Sequence, residues 1–261
     1  MSIRNWSYSL LTVFESCKYR VKLARIDKIP DDTPRPNADR GTQIHQEAED
    51  YVTGKAAFTH NLRFFKADFI ALRAHYAAGR VICEEEWAFD HHWKITDWKS
   101  GWLRLKCDAV VHLTAKHLAV IDYKTGKRFG NEIKHAEQLQ LYALSALIRY
   151  PDVEEVTCEL WYLDQNELAS FTMKRKQLSR YLQIFDKRGR AITEEKNFKP
   201  NPNIVSCKHC PYSPEKQGNC TFGVKQDGKK VQPICVDTLK LKKKKPMKSD
   251  AMFNAQDLEG L

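Results

Sequence analysis

The stretch Trp102-Leu-Arg-Leu-Lys-Cys-Asp108-Ala-Val-Val-His-Leu113, followed after a short turn by His117-Leu-Ala-Val-Ile-Asp122-Tyr-Lys124, decides how this chain is read. Its first part alternates and then runs apolar, as a half-buried strand does. Thr114 to Lys116 makes the turn, and the second part is a strand that stops at Thr125-Gly126, so the two pair antiparallel. Side chains alternate across a strand, which puts Asp122 and Lys124 on one face. Asp108 can reach them from the neighbouring strand. Two carboxylates beside an ammonium suit metal-assisted phosphodiester hydrolysis: the carboxylates hold Mg²⁺ or Mn²⁺, the cation lowers the pKa of bound water, and a lysine orients that water.

The triplet alone carries little weight, because Asp97-Trp-Lys99, Glu132-Ile-Lys134 and Glu194-Glu-Lys196 also fit an acid-x-Lys pattern. Taken in isolation, Asp122-Tyr-Lys124 reads equally well as an exposed ion pair at a strand end. Context separates it from the others: it ends an apolar strand, has another acid fourteen residues upstream on a partner strand, and is followed by a helix.

With 261 residues, 42% of them apolar and 11% aromatic, the chain can bury a full core, and one main domain is expected. A formal charge of +10 favours a polyanionic partner such as nucleic acid, although the six lysines between Lys240 and Lys248 also read as a solvated run. No apolar stretch approaches the roughly 18 residues needed to span a membrane. The polar start Met1-Ser-Ile-Arg-Asn-Trp6 carries no cleavable signal, so an intracellular, DNA-associated protein without membrane contact is expected. In that setting the eight cysteines read as thiols or metal ligands rather than disulfides.

Trp6 to Ala24 has the spacing of an amphipathic helix that carries Cys17 and ends in basic residues. A proline-bearing loop follows, then a helix from about Ala38 to Thr53 with Ile44, Ala48, Tyr51 and Val52 on its buried stripe. His45 and Glu49 sit one turn apart beside that stripe. A third helix is expected over Leu62 to Ala78, a strand over Val81 to Phe89, and a polar, aromatic-rich turn over Asp90 to Gly101. Beyond the central hairpin, Lys134 to Arg149 reads as a helix with Gln138 and Tyr142 on one face, Val153 to Tyr162 as a strand, and Lys174 to about Lys196 as a basic helix with Leu178, Leu182, Ile184 and Phe185 inward. From Phe198 the composition turns to Pro, Asn, Lys and Cys, with too little apolar content to pack unaided, so a metal centre is the natural explanation.

Gly41-Thr-Gln-Ile-His45-Gln-Glu-Ala-Glu49, Gly101 to Asp108, Asp122-Tyr-Lys124 and Gln138-Leu-Gln-Leu-Tyr142 occur in the order Gly-x₃-His-x₃-Glu, upstream Asp, Asp-x-Lys, Gln-x₃-Tyr. Taken together they resemble the RecB-like branch of the PD-(D/E)XK nuclease superfamily, over about Trp6 to Cys220. The resemblance implies an α/β fold, a central mixed β-sheet flanked by helices as in restriction endonucleases. It implies that His45, Asp108, Asp122 and the backbone carbonyl of Tyr123 ligate the catalytic cation, with a nitrogen ligand shifting preference toward Mn²⁺ over Mg²⁺. Lys124 would position or deprotonate the attacking water, Gln138 and Tyr142 would orient Lys124 or the scissile phosphate, and Glu49 would bond His45 or a water.

Members of the same family carry a [4Fe–4S] cluster on one N-terminal and three C-terminal cysteines, and Cys17, Cys207, Cys210 and Cys220 fall in those places. Nine residues separate Cys210 from Cys220, a longer gap than the resemblance leads one to expect, and Cys235 is a possible substitute. Zn²⁺ on a Cys-x₂-Cys knuckle is the competing reading. Cys83, Cys107 and Cys158 lie in strands and read as core residues.

The expectation is therefore a single nuclease domain over residues 1–235, its core at about 38–165, its cysteine segment at about 198–222 joined to the helix at 6–24, and a mobile basic tail at 236–261. It would hydrolyse DNA, acting as an exonuclease on single strands or strand ends, with recombination or replication proteins as possible partners. Basic helices around Cys17 and over Lys174 to Arg190 would track the phosphate backbone, and Trp93, Trp98 or Trp102 would stack bases or pack internally. The alternatives are a non-catalytic zinc-containing nucleic-acid-binding module and an RNA-directed or structure-specific endonuclease.

Overall fold

The computed structural model describes residues 2–31, 33–34, 36–126, 128–216, 218 and 220–224. The alternative ligand Cys235 and the basic tail at 236–261 lie outside the described residues. The helices are α1 (Tyr8–Ser16), α2 (Lys18–Val21), α3 (Pro36–Val52) and α4 (Lys66–Ala77). After them come strands β1 (Val81–Phe89), β2 (Leu103–Thr114) and β3 (His117–Lys124), helix α5 (Glu132–Arg149), strands β4 (Glu155–Tyr162) and β5 (Glu167–Lys174), and helices α6 (Leu178–Thr193) and α7 (Ile204–Lys208).

The five strands form one mixed sheet in sequence order, parallel between β3 and β4 and antiparallel elsewhere. Parallel neighbours need a crossover connection, and α5 supplies it. On one face Leu11, Phe14, Leu141, Leu144 and Phe185 from α1, α5 and α6 pack against Trp87, Val120 and Leu160. On the other, Ile44, Tyr51 and Phe69 from α3 and α4 pack against Ala109, Ile121 and Trp161. Covered on both sides, β3 is buried from Leu118 to Tyr123, which is why it reads as a continuous apolar run. The architecture is the α/β fold with helix-flanked mixed sheet that the sequence leads one to expect.

Three elements depart from expectation. Strand β5 is an edge strand with only Met173 buried, so its weak, polar pattern gives no strand signal; it follows a tight turn in which Asn166 adopts a positive φ of 49°. In α6 Phe185 and Ile192 are buried, whereas Ile184, expected inward, is 41% exposed. The single helix expected over Trp6 to Ala24 is instead broken at Cys17, whose φ of −158° and ψ of 107° are extended, and it continues as α2 and a π-turn at Lys22–Ile26. Tertiary bonds hold the break: Asn201 donates to the Ser16 carbonyl at 3.1 Å, and Ser16 Oγ meets Ser206 Oγ at 2.9 Å. A helical end that would otherwise go unsatisfied is capped by a segment almost two hundred residues away, which no local pattern announces.

A second contact joins the same two regions. The Lys18 ammonium pairs with Glu195, whose other carboxylate oxygen accepts from the Asn197 amide at 2.8 Å. The Lys18 hydrogen bond, followed by that backbone donor, pulls the Glu195 carboxyl from 4.5 down to about 2. A lowered carboxylate pKa stabilises the fold above the ordinary value and loses that contribution as pH falls from there toward 2. Glu195→Gln should therefore cost about 1 kcal/mol near neutrality, the upper end for a surface pair, and nothing near pH 2. Melting temperatures of both proteins from pH 7 to 2 check this; a gap that does not narrow with acid would sink it.

Candidate active site

The site forms where β2 and β3 part. Their ladder runs to Ala109 opposite Ile121, and one further step of the same register sets Asp108 against Asp122. At that step the ladder is replaced: the Tyr123 amide donates to Asp108 Oδ2 at 2.5 Å. Strand β1 changes with it. Val81 and Cys83 face the α3/α4 core, whereas Trp87 and Phe89 face the opposite one, and on β2 Ala109 and Cys107 divide in the same way. The reversal falls at Glu84, a non-glycine residue with a φ of 54°, opposite Asp108. Left-handed backbone on a long side chain is costly and persists only where surrounding structure enforces it. Here the Glu84 carboxylate is tied to the Lys106 ammonium.

Helix α3 reaches the site from one face. His45 Nδ1 lies 3.1 Å from Asp108 Oδ1, and its ring meets Tyr123 edge-on. The glycine four residues earlier has a reason in space: a Cβ at Gly41 would stand 3.1 Å from Thr125 Oγ1, so glycine lets α3 come down beside the residue after Lys124. Helix α5 reaches the site from the other face. Gln138 Nε2 donates to Asp122 Oδ1 at 3.1 Å, and the Tyr142 hydroxyl sits 2.9 Å from the same oxygen and 3.0 Å from the Lys106 carbonyl. Gln138 and Tyr142 therefore touch Asp122 itself, and act on Lys124 only through that carboxylate. Lys124 Nζ stands 2.5 Å from Asp122 Oδ2, an oxygen that is buried and receives no hydrogen bond of good geometry.

Electrostatics follow from burial. Asp108 is pushed above the usual carboxylate range by desolvation, with the Asp122 charge adding to it and His45 opposing. Burial lowers His45, but the hydrogen bond and charge of Asp108, with Asp122 behind it, outweigh burial and raise it. Burial and the Asp122 charge raise Tyr142 far above its ordinary value, so its phenol keeps its proton.

Glu49 does not meet His45; its carboxylate bonds Lys55 at 3.1 Å and Gln46 at 3.1 Å. His135, which belongs to none of the sequence motifs, sits one turn before Gln138 with Nδ1 2.6 Å from the Tyr162 hydroxyl, and burial and the Lys124 charge lower its pKa. Its i,i+3 spacing to Gln138 was the available signal.

Two expectations about nucleic-acid contacts change. Trp93 and Trp102 are buried, their indole N–H groups bonded to Asp186 and Thr193, and they cannot stack on a ligand; Trp98 is 37% exposed and lies against Arg104. On α6, Arg188 is held by Glu15 and Glu137, and Arg190 by Asp186, so much of that helix's charge is met internally.

The donor set fits a divalent cation: two opposed, buried carboxylates, one with an oxygen met by the Lys124 ammonium alone, and an imidazole alongside. Among the described residues no group of three or more His, Cys, Asp or Glu side chains stands ready-made around one ion position, because these donors are engaged with His45 and Lys124 respectively. Apart from this site, Cys17, Cys207, Cys210 and Cys220 line a single cavity together with Tyr19, Leu23 and Phe222. Cys107 and Cys158 are core residues, and Cys83 is half-buried.

A comparison with curated proteins gave no match. Among solved structures the chain is similar to SSO0001, at 15% identity and a TM-score of 0.44 over 86% of this chain and 90% of the other. It is also similar to a candidate exonuclease from Eubacterium rectale, at 10% identity and a TM-score of 0.41 over 76% and 84%. Residues 5–214 match the PD-(D/E)XK nuclease superfamily as a sequence family. That span takes in the whole sheet and both helices that converge on Asp108, Asp122 and Lys124, and the chain belongs to the PD-(D/E)XK nuclease superfamily, whose members generally use divalent metals such as Mg²⁺ or Mn²⁺.

Proposed function

We propose that this nuclease hydrolyses DNA phosphodiesters as an exonuclease acting on single strands or strand ends. The observation that carries the reading is the opposition of Asp108 and Asp122 at the end of the ladder, with His45 on one carboxylate and Lys124 on the other. His45, Asp108, Asp122 and the Tyr123 carbonyl would hold Mg²⁺ or Mn²⁺. A cation there supplies water acidification and neutralises charge on the phosphate. Lys124, whose side chain is 23% exposed, would orient or deprotonate the attacking water. Gln138 and the neutral Tyr142 fix Asp122, and Tyr123 N–H fixes Asp108, so the acids stay in place as charge develops. A purely binding role fits poorly, since buried acids at the mouth repel phosphate and cost desolvation for no gain.

The test is incubation with end-labelled linear and closed circular single-stranded DNA, and with RNA, in Mn²⁺, Mg²⁺ or EDTA. Metal-dependent loss of the linear DNA with the circle intact is expected. Rapid cutting of the circle would identify an endonuclease, preference for RNA an RNA-directed enzyme, and binding without cleavage in either metal a non-catalytic module.

The four cysteines support a second, structural centre. We place a [4Fe–4S] cluster there rather than Zn²⁺, because a Cys-x₂-Cys zinc knuckle usually recruits ligands close by in sequence, whereas Cys17 is remote in sequence and lines the same cavity as Cys207, Cys210 and Cys220. Such a centre would clip α1 and α2 to the C-terminal segment, closing a loop of 190 residues between Cys17 and Cys207. Anaerobically purified protein should be brown with about four irons per chain. Cys17→Ser should bleach it and lower its melting temperature. A colourless preparation with stoichiometric zinc, or unchanged metal in Cys17→Ser, would overturn the cluster and leave the nuclease reading standing.

A further inference from the structure

Trp93 and Trp102 are spent inside the fold, yet one aromatic ring on the loop that leaves Lys124 stands in solvent. Phe129 is 90% exposed, more than any other large apolar side chain among the described residues. It stands on the loop between Lys124 and α5, five residues after the lysine and nine before Gln138, so both of its anchors are site residues. The loop is shaped to present it. Gly130 follows with a φ of 83°, and Arg128 is pinned on the near side, its amide on Gln165 at 3.4 Å and its guanidinium on Glu167 at 3.3 Å. Ile133, on the first turn of α5, is 78% exposed as well.

Scattered apolar side chains on a surface are ordinary, so it is the position of Phe129, on the loop between Lys124 and the helix that carries Gln138, that points to a ligand. The charge of its own segment selects the occupant: Lys124, Arg128 and Lys134 lie within five residues of it in sequence, Lys124 paired with Asp122 and Arg128 with Glu167, and a basic segment favours a phosphate-bearing strand over an apolar peptide. Cations tracking a backbone with an aromatic ring set among them is how single strands are held without sequence reading. We propose that Phe129 is the platform on which an unpaired nucleobase of the substrate strand stacks while the neighbouring phosphodiester enters the Asp108/Asp122/Lys124 site. This rests on the nuclease reading and adds a substrate class to it, a strand whose bases are unpaired where it meets the site. A base inside a duplex has both faces covered by its stacked neighbours, so it must unstack before it binds there.

Binding of a fluorescein-labelled oligothymidylate is measured by anisotropy in Ca²⁺, with the wild-type chain and with Phe129→Ala, Phe129→Leu and Phe129→Trp. Each is paired with strands carrying one abasic residue at successive positions. Phe129→Ala and Phe129→Leu should weaken Kd by about 5- to 100-fold, and Phe129→Trp should keep wild-type affinity. One abasic position should weaken wild-type binding to a similar degree yet leave Phe129→Ala binding unchanged, since the two losses remove the same contact. Wild-type affinity in Phe129→Ala, or losses that simply add, would overturn the proposal. Equal affinity in Phe129→Leu and Phe129→Trp would also overturn it, by showing that bulk rather than a flat π-face is what binds. Cleavage by the wild-type chain in Mn²⁺ is scored separately, so a stacking Phe129 on a chain that never cuts, and a cutting chain indifferent to Phe129, are distinct results.

Discussion

Lys124→Ala and Asp122→Ala should each reduce cleavage at least about a thousandfold while leaving a folded protein that still binds nucleic acid. The magnitude follows from what is lost. Removing one preorganised group that meets developing charge typically costs two to three orders of magnitude, and Asp122 is in addition the residue on which Lys124, Gln138 and Tyr142 converge. Folding should survive, because neither side chain fills the apolar core. Asp122→Asn sharpens the point: the Asp122 charge is one of the causes that raise Asp108, so the variant relieves a repulsion between buried acids. The same change removes the counter-ion of Lys124, so the melting temperature in the absence of metal should change little as the two effects offset, while activity is lost. Single-turnover rates in Mn²⁺ together with melting curves decide the matter. Near-normal activity in Lys124→Ala would remove this triplet from the site, and a collapsed melting transition in Asp122→Asn would mean that its role is in the fold.

Gly189→Ala should destabilise the protein strongly, in the direction opposite to helix propensity. Glycine inside a helix is worse than alanine by about 1 kcal/mol, so an exposed glycine in mid-helix α6 would gain from the change. At this position a Cβ would stand 2.5 Å from Trp102 Cη2 and 2.7 Å from Trp6 Cε2. Both rings are buried, they pack edge to face at 5.4 Å, and Trp102 is further fixed by its indole bond to Thr193. Neither can swing aside without opening the core beneath the N-terminal segment, where the Trp6 amide and carbonyl bond the chain on either side of Leu103. Overpacking of this kind costs about 1–3 kcal/mol and outweighs the propensity gain. The melting temperature should fall by about 3–10 °C, given roughly 2–4 °C per kcal/mol for a domain of this size. Cleavage well below the transition should persist, since α6 contributes none of the residues at Asp108 and Asp122. A melting temperature equal to or above wild type would show that the two indoles yield.

The sequence by itself determined the central hairpin and helices α3 and α5, because their signals are local, whereas the polar edge strand β5 carries none. An apolar run ending at Asp122-Tyr-Lys124, a turn, and an acid on the preceding strand suffice to pair β2 with β3 and bring Asp108 to Asp122. Helical spacing suffices to put Gln138 and Tyr142 on one face and His45 beside a buried stripe. What these residues touch was decided only by the tertiary structure. That Gln138 and Tyr142 bond Asp122, that Glu49 turns to Lys55, and that the β1–β2 ribbon reverses its faces at Glu84 all depend on packing from opposite sides of the sheet, which carries no local pattern. The same holds for the helix break at Cys17, imposed by Asn201 and Ser206 from the far end of the described chain. It holds too for the aromatics, since Trp93, Trp102 and Phe129 are alike as apolar rings in a charged stretch. Only the fold buries two of them against α6 and leaves the third in water on the loop after Lys124.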